Sequence, residues 1–264
     1  MIRPNRRILL ENLKLTEIRG HTTLRSRSML AAKPRNCATC PTRIDSVFCS
    51  LPQEHLETLN RHKTTNRYRR GQTLFYEGNP ATGLFCVGNG KIKLFKNGSD
   101  GKEVILRIAK GGDILGYWSV LTDREYAASA EVIEDAEICF VDKSFINHLV
   151  HDDPALALNV IRRLGDELAV AEERLSDILN KDVRQRFIRL LLTLQKTHGK
   201  KESNGMFLDV RLTRNELGAM VGATPETIIR LLSALHDEGH VHLDGKKIFI
   251  KDGNALLHEI ETDS

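Results

Sequence analysis

The chain has 264 residues, 28% charged and 41% hydrophobic, which suits a folded globular protein with room for two domains and excludes a largely disordered one. Its formal charge of +4 permits a nucleic-acid partner without demanding one. No apolar run approaches the roughly 20 residues needed to cross a bilayer, and five cysteines without a secretory h-region favour metal or redox roles over structural disulfides, so a cytoplasmic, non-membrane chain is expected.

Residues 1–36 carry nine Lys/Arg against two Asp/Glu and read as a basic, disordered arm, in which Met29 offers an alternative start. Residues 37–51 form a cysteine-bearing segment, Cys37-Ala-Thr-Cys40 followed after eight residues by Cys49. A Cys-x2-Cys pair places two thiolates close enough to share a metal centre, and a third nearby makes an incomplete ligand set. The plainer reading is unligated thiols on a flexible segment.

Over residues 52–150 glycines recur between short apolar runs, among them Thr73–Tyr76, Leu84–Val87, Lys91–Phe95 and Val104–Ile108. Each run is too short for a helix, and strands at this spacing indicate an antiparallel barrel or sandwich. In residues 151–180 the period changes. Ile161, Leu164, Leu168, Ala171, Leu175 and Ile178 are spaced three, four, three, four, three, a heptad seam on a long helix from about Pro154 to Leu179. Such a seam suits pairing with a second copy, although the same stripe could lie on the barrel.

Residues 181–252 hold a helix from about Asp182 to Thr197, a polar loop from His198 to Gly205, and then two short helices and a hairpin. Thr213 and Glu216 make a capping box; Leu217, Met220 and Val221 follow at helical spacing up to Gly222. Thr224 can cap the second helix and Pro225 suits its first turn. Ile228, Leu231, Leu232 and Leu235 then face inward, leaving Glu226, Ile229, Arg230 and Ser233 outward. Arginine bonds bidentately to guanine, glutamate accepts from cytosine N4, and a large apolar side chain fits a thymine methyl, so Glu226, Ile229 and Arg230 are candidate base readers. Thr213, Thr224, Thr227 and Ser233 are candidates for phosphate contact or helix capping. The hairpin after the second helix, turning at Asp244–Gly245, places Lys246 and Lys247 where a wing touches phosphates. Residues 253–264 read as a C-terminal tail. An ordinary helical hairpin with a solvated Glu–Arg pair is the bland alternative.

A glycine-punctuated barrel, a long helix and a winged helix-turn-helix occur here in one order. Together with Gly71-Gln-Thr-Leu-Phe-Tyr-Glu-Gly78, Gly111-Gly-Asp-Ile-Leu-Gly116 and the Glu226/Arg230 spacing, that order resembles the Crp/Fnr superfamily of bacterial transcription factors over about residues 37–252. The resemblance implies an α+β fold: an N-terminal antiparallel β-roll of the cyclic-nucleotide-binding type, a dimerisation helix and a C-terminal winged helix-turn-helix. It also implies a homodimer on double-stranded DNA with a two-fold related operator, and contact with RNA polymerase. Pro225 stands where cyclic-AMP-responsive members have a further base-reading arginine. Tyr117 replaces the ribose-binding glutamate, and Ala127 and Ala128 replace the phosphate-binding Arg-Ser pair, so cyclic AMP is not expected.

By the same resemblance Cys139 joins Cys37, Cys40 and Cys49 in the pattern of the oxygen-sensing branch, whose four cysteines hold a 4Fe-4S cluster. The Cys40–Cys49 gap is longer than usual there, which costs little because closure entropy grows slowly with length. A tetrahedral zinc site and a thiol or disulfide redox switch remain open beside the cluster. Cys86, inside a strand run, reads as a small buried hydrophobe. A regulator gated by redox state, oxygen or nitric oxide is the leading expectation. The alternatives are a small-molecule effector without metal, or a sensory module acting on a protein partner. No Gly-x-Ser-x-Gly, His-Glu-x-x-His, phosphate-loop or kinase signature is present, and catalysis is not expected.

Overall fold

Apolar alternation dominates the first half of the chain, and in the computed structural model it folds as an antiparallel sheet around its own core. Residues 36–98 and 101–262 are described; the basic arm, apart from Asn36, and the Met29 start lie outside them. The cysteine segment makes a single 3-10 turn, Arg43–Asp45, and leads to α1 (Gln53–His62), which buries Leu56 and Leu59. This helix lies within the stretch expected to be strand, and Pro52 opens it because a missing N–H costs nothing there.

The strands follow as β1 (Lys63–Tyr68), β2 (Thr73–Phe75), β3 (Gly83–Asn97), β4 (Glu103–Ala109) and β5 (Ile114–Leu115). After the short helix α2 (Tyr117–Leu121) come β6 (Ser129–Asp142) and the helix α3 (Lys143–Asp152). The antiparallel order is β1-β6-β3-β4, with β2 on β6 and β5 on β3. Two runs expected as separate strands, Leu84–Val87 and Lys91–Phe95, are one strand, β3. Gly88 and Gly90 do not break it; the register shifts between Val87 and Ile92 absorb them as bulges. Ile92, Ala130 and Val132 are completely buried in the barrel core.

A 27-residue helix, α4 (Pro154–Asn180), starts where the Asp153 carboxylate accepts from the Leu156 N–H. Next is α5 (Val183–His198), opened by the Asp182/Gln185 capping box. The stretch expected as a polar loop is instead a hairpin, β7 (Gly199–Glu202) and β8 (Gly205–Leu208). Then come α6 (Arg214–Val221), α7 (Pro225–Asp237), β9 (Val241–Asp244), β10 (Lys247–Ile250) and α8 (Gly253–Thr262). The four short strands form one sheet in the order β7-β8-β10-β9. The expected C-terminal tail is corrected as well. It is α8, whose Leu256 and Ile260, four apart on one face, are completely buried. Burying each contributes about 1.5–3 kcal/mol, enough to hold a ten-residue helix that would not persist alone.

The two halves meet through apolar surface. Phe95, Ile105, Ile108 and Ile133 of the barrel share one buried cluster with Leu190, Leu217, Val221 and Ile228 of the C-terminal half. The buried Lys91 adds polar contacts, its Nζ 2.6 Å from Glu134 and 3.6 Å from Asp209.

Candidate nucleic-acid interface and thiol cavity

Two helices and a tight turn build the first site. Thr213 accepts from the Glu216 N–H at 3.1 Å, and Glu216 returns a bond to the Thr213 N–H at 2.7 Å, starting α6. Gly222 ends it at φ 71°, a left-handed conformation that most side chains resist. Thr224 Oγ1 then accepts from the Thr227 N–H at 3.3 Å and caps α7. With Ile228, Leu232 and Leu235 buried, Glu226, Ile229, Arg230 and Ser233 stand on the opposite face, and all four are exposed. Ile229 is 52% exposed, a large apolar side chain offered to whatever covers this face. The Glu226 carboxyl is held below its ordinary range by its own backbone N–H and then by Thr224, so it is an ionised acceptor at neutral pH.

Thr213, Thr224 and Thr227 are thus engaged as caps or cap partners. The wing hairpin pairs Lys247 with Asp244, so its two loop residues are Gly245 and Lys246, one position later than the sequence reading placed the turn. Lys246 is exposed at the tip. Lys247 is also exposed but lies back over the Phe207 ring and toward Asp244.

Along α4, Leu156 and Val160 are buried against the barrel and Leu164 is partly buried there. The rest of the heptad seam is bare. Ile161, Leu168, Ala171, Leu175 and Ile178 are exposed, the four large ones at 59–63%. The alternative of a stripe lying on the barrel therefore accounts for Leu164 only.

The cysteines divide differently from the expected set. A largely apolar cavity of about 50 Å³ opens between the cysteine segment and the barrel, lined by Cys37, Cys40, Lys63, Cys86 and Cys139 among others. One water needs roughly 10–15 Å³ of such space, so the cavity holds more than one. Cys86 on β3 and Cys139 on β6 are directly paired across the ladder, which puts both side chains on the same face of the sheet. Burial pushes the Cys37 thiol up, opposed by its Lys63 neighbour. Burial pushes Cys86 well up, and Cys139, Cys37 and Cys40 each add to the effect. Cys49 does not line this cavity. It is exposed, with its Sγ 4.0 Å from Asn159 Nδ2 on α4. Of the expected four, Cys37, Cys40 and Cys139 come together, and Cys49 is replaced at the cavity by Cys86.

The donor chemistry bears on what such thiols could hold. Tetrahedral zinc with bonds of about 2.3 Å needs sulfurs roughly 4 Å apart. Among the described residues no three cysteine sulfurs lie within 4.8 Å of one another. These cysteines therefore form no preassembled zinc site, whereas four thiols around one cavity are the number and type of donor that an iron–sulfur cluster takes.

Around this cavity the contacts run outward. Thr42 Oγ1 lies 3.4 Å from Cys40 Sγ. A Cβ on Gly112, whose φ is 96°, would meet Asp45 Cβ at 2.9 Å and Thr42 O at 3.1 Å, so the cysteine segment sits directly on this turn. Next to it, Asp113 accepts from Arg163 of α4 at 2.6 Å, and Lys110 donates to the Thr197 carbonyl at the end of α5 at 2.7 Å. Asn159 of α4 donates to Val47 O at 3.1 Å and Ser50 Oγ at 2.8 Å. Arg107, Arg163 and Glu167 join Asp113 in an ion-pair network beside the buried Tyr117, whose hydroxyl is held up first by burial and then by Glu167. Sequence reasoning did not place Cys86 at this cavity and did not single out Asn159, Lys110 or the Asp113–Arg163 pair. The strand register between β3 and β6 was the signal for the first, and the sequence alone does not contain it.

Residues 65–153 match the cyclic nucleotide-binding domain family, and residues 185–259 match the Crp-like helix-turn-helix domain family. The chain is 27% identical over 210 residues to the CRP-like cAMP-activated global transcriptional regulator of Mycobacterium tuberculosis, spanning 80% of this chain and 94% of that protein. It is also 27% identical over 210 residues to the anaerobic regulatory protein of Bacillus subtilis, spanning 79% and 88%. Its fold is similar to that of FixK2 from Bradyrhizobium japonicum, with a TM-score of 0.67 at 24% identity over 74% of this chain and 96% of that one.

Proposed function

From a chain that belongs to the Crp/Fnr superfamily of transcriptional regulators, we propose a homodimer that reads a two-fold related operator and is gated through its cysteines by redox state, oxygen or nitric oxide. The observation that carries the DNA reading is the outward α7 face, where Glu226, Ile229, Arg230 and Ser233 stand beside a lysine-tipped wing. Arg230 and Glu226 read a G·C pair in each half-site, and the wing's Lys246 holds a phosphate. Dimerisation along the bare α4 seam sets the two recognition helices for successive major grooves. An operator-bound dimer of this kind then acts on RNA polymerase.

The relatives' names point to different signals, one to cyclic AMP and one to anaerobiosis. The choice here rests on this chain's own side chains. Tyr117, Ala127 and Ala128 offer neither a ribose-binding carboxylate nor a phosphate-binding cation. Arg107 and Arg163 nearby are both committed to Asp113 and Glu167. Four thiols, by contrast, surround one cavity. A bound iron–sulfur cluster would supply one-electron redox chemistry there. The protein's part is to present Cys37 and Cys40 from the segment that rests on Gly112 and is tied to α4 through Asn159, so that a change at the thiols bears on both the turn and the dimer helix.

Fluorescence anisotropy with a palindromic duplex carrying G·C in each half-site, run anaerobically and after air, tests both parts. Tighter binding than to a scrambled duplex, in one of the two states, is the expected result. Equal affinity for both duplexes would sink the DNA reading. Equal affinity in both states would sink only the gating.

A further inference from the structure

We propose that the thiolates holding an iron–sulfur cluster in this chain are Cys37, Cys40, Cys86 and Cys139, and that Cys49 is a contact residue of the cysteine segment instead of a ligand. The inference rests on the cysteine-gated reading above and names its ligand set. Its basis is placement. Cys86 and Cys139 are direct cross-strand partners on β3 and β6, so their side chains leave the same face of the sheet a few ångströms apart. That face is the floor of the cavity whose other walls carry Cys37 and Cys40. Cys49, by contrast, is exposed and directed to Asn159 of α4.

Charge supports the same assignment. Four thiolates and an inorganic core concentrate negative charge in an apolar cavity, which is costly without a nearby cation. Lys63 lines the cavity and is bonded to Cys37. Cys49 is exposed and does not line the cavity, although its neighbour Phe48, 6% exposed, does.

The test is anaerobic reconstitution with ferrous iron and sulfide, reading iron, acid-labile sulfide and visible absorption per chain, on the wild type, Cys49→Ala and Cys86→Ala. The assignment expects full iron in Cys49→Ala and loss of most of it in Cys86→Ala. The reverse pattern, with Cys49→Ala colourless and Cys86→Ala brown, overturns the ligand set and leaves the cluster-gated reading standing. A wild type that takes up no iron overturns both. A cross-strand disulfide between Cys86 and Cys139, seen as the loss of two hydrogens on oxidation, would then be the competing use of the pair, since directly opposed residues fall within disulfide reach. If Cys86→Ala does not fold, alkylation of the wild type decides. Cys49 is expected to label at the same rate with and without the cluster, and its protection by the cluster would overturn the assignment.

Discussion

Replacing Leu168 and Leu175 together by glutamate should convert the protein from dimer to monomer. In the single chain these side chains are 61% and 59% exposed. Full burial of a leucine contributes about 1.5–3 kcal/mol, so covering the remaining three-fifths contributes about 1–2 kcal/mol each. A dimer buries two copies of both, roughly 4–7 kcal/mol, which converts at 1.4 kcal/mol per decade to about three to five orders of magnitude in the dimer dissociation constant. Like charges facing each other across the seam add to that loss, whereas the fold of each chain should hold, because neither leucine belongs to the buried cores. Sedimentation velocity over a concentration series reads the change directly, with thermal unfolding as the control. A double variant that sediments as a dimer at the same concentrations as the wild type would refute the seam. So would a wild type that stays monomeric at every concentration.

Arg230→Ala should cost about 1–3 kcal/mol per half-site and relax base choice at one position, while Lys246→Ala should weaken all duplexes alike and flatten the salt dependence; anisotropy titrations at several salt concentrations separate the two. Ile260→Ala, at a completely buried position of α8, should destabilise the C-terminal half by about 2–5 kcal/mol in urea unfolding, where a free tail would show no change. Burial, with Lys110 and Lys91 nearby, pushes the His198 imidazole down to about 4, and its Nε2 is buried without a partner among the described residues. Because the unfolded chain then takes the proton first, stability from this group is full above about pH 6.5 and is lost toward pH 4. That loss amounts to roughly 3 kcal/mol, and His198→Gln should remove this part of the pH slope in denaturation curves. A double-mutant cycle of Asp113→Asn and Arg163→Met should show non-additive effects on the ratio of reduced to oxidised DNA affinity, and strict additivity would deny that their contact carries the signal.

Local chemistry made the C-terminal unit legible. Thr213, Glu216, Thr224, Pro225 and the Ile228/Leu232/Leu235 stripe act within a few residues of one another, so caps and period placed α6 and α7 before any tertiary contact was considered. The long helix α4 and its apolar stripe were legible for the same reason. Longer range was not. β7 has the charged composition of a loop, Gly-Lys-Lys-Glu, because it is a sheet edge where lysines discourage further pairing. α8 has one buried apolar pair in ten residues, too little periodicity to announce a helix, and it depends on the core that receives Leu256 and Ile260. Cys86 packs with the apolar core as a small hydrophobe does, but its place beside Cys139 was not legible, because its facing depends on pairing with a strand about fifty positions away, through a register that shifts three times. A one-residue slip in that ladder would turn the thiol away from the cavity.

The Lys110–Asp113 turn is where these pieces acquire a mechanism. Three elements touch it: the cysteine segment through Thr42 and Asp45, the long helix α4 through Arg163, and the end of α5 through Lys110. Allosteric couplings typically amount to about 1–3 kcal/mol, and a single hydrogen bond involving a charged group is worth about 1.5–3 kcal/mol. On the gating proposed above, one such contact, made in one redox state and lost in the other, would be sufficient, with no large rearrangement required. Gly112 lets the cysteine segment rest directly on the turn. It has no side chain to hold the cysteine segment at a distance, so a shift of Thr42 or Asp45 presses on backbone that already holds Asp113 against α4.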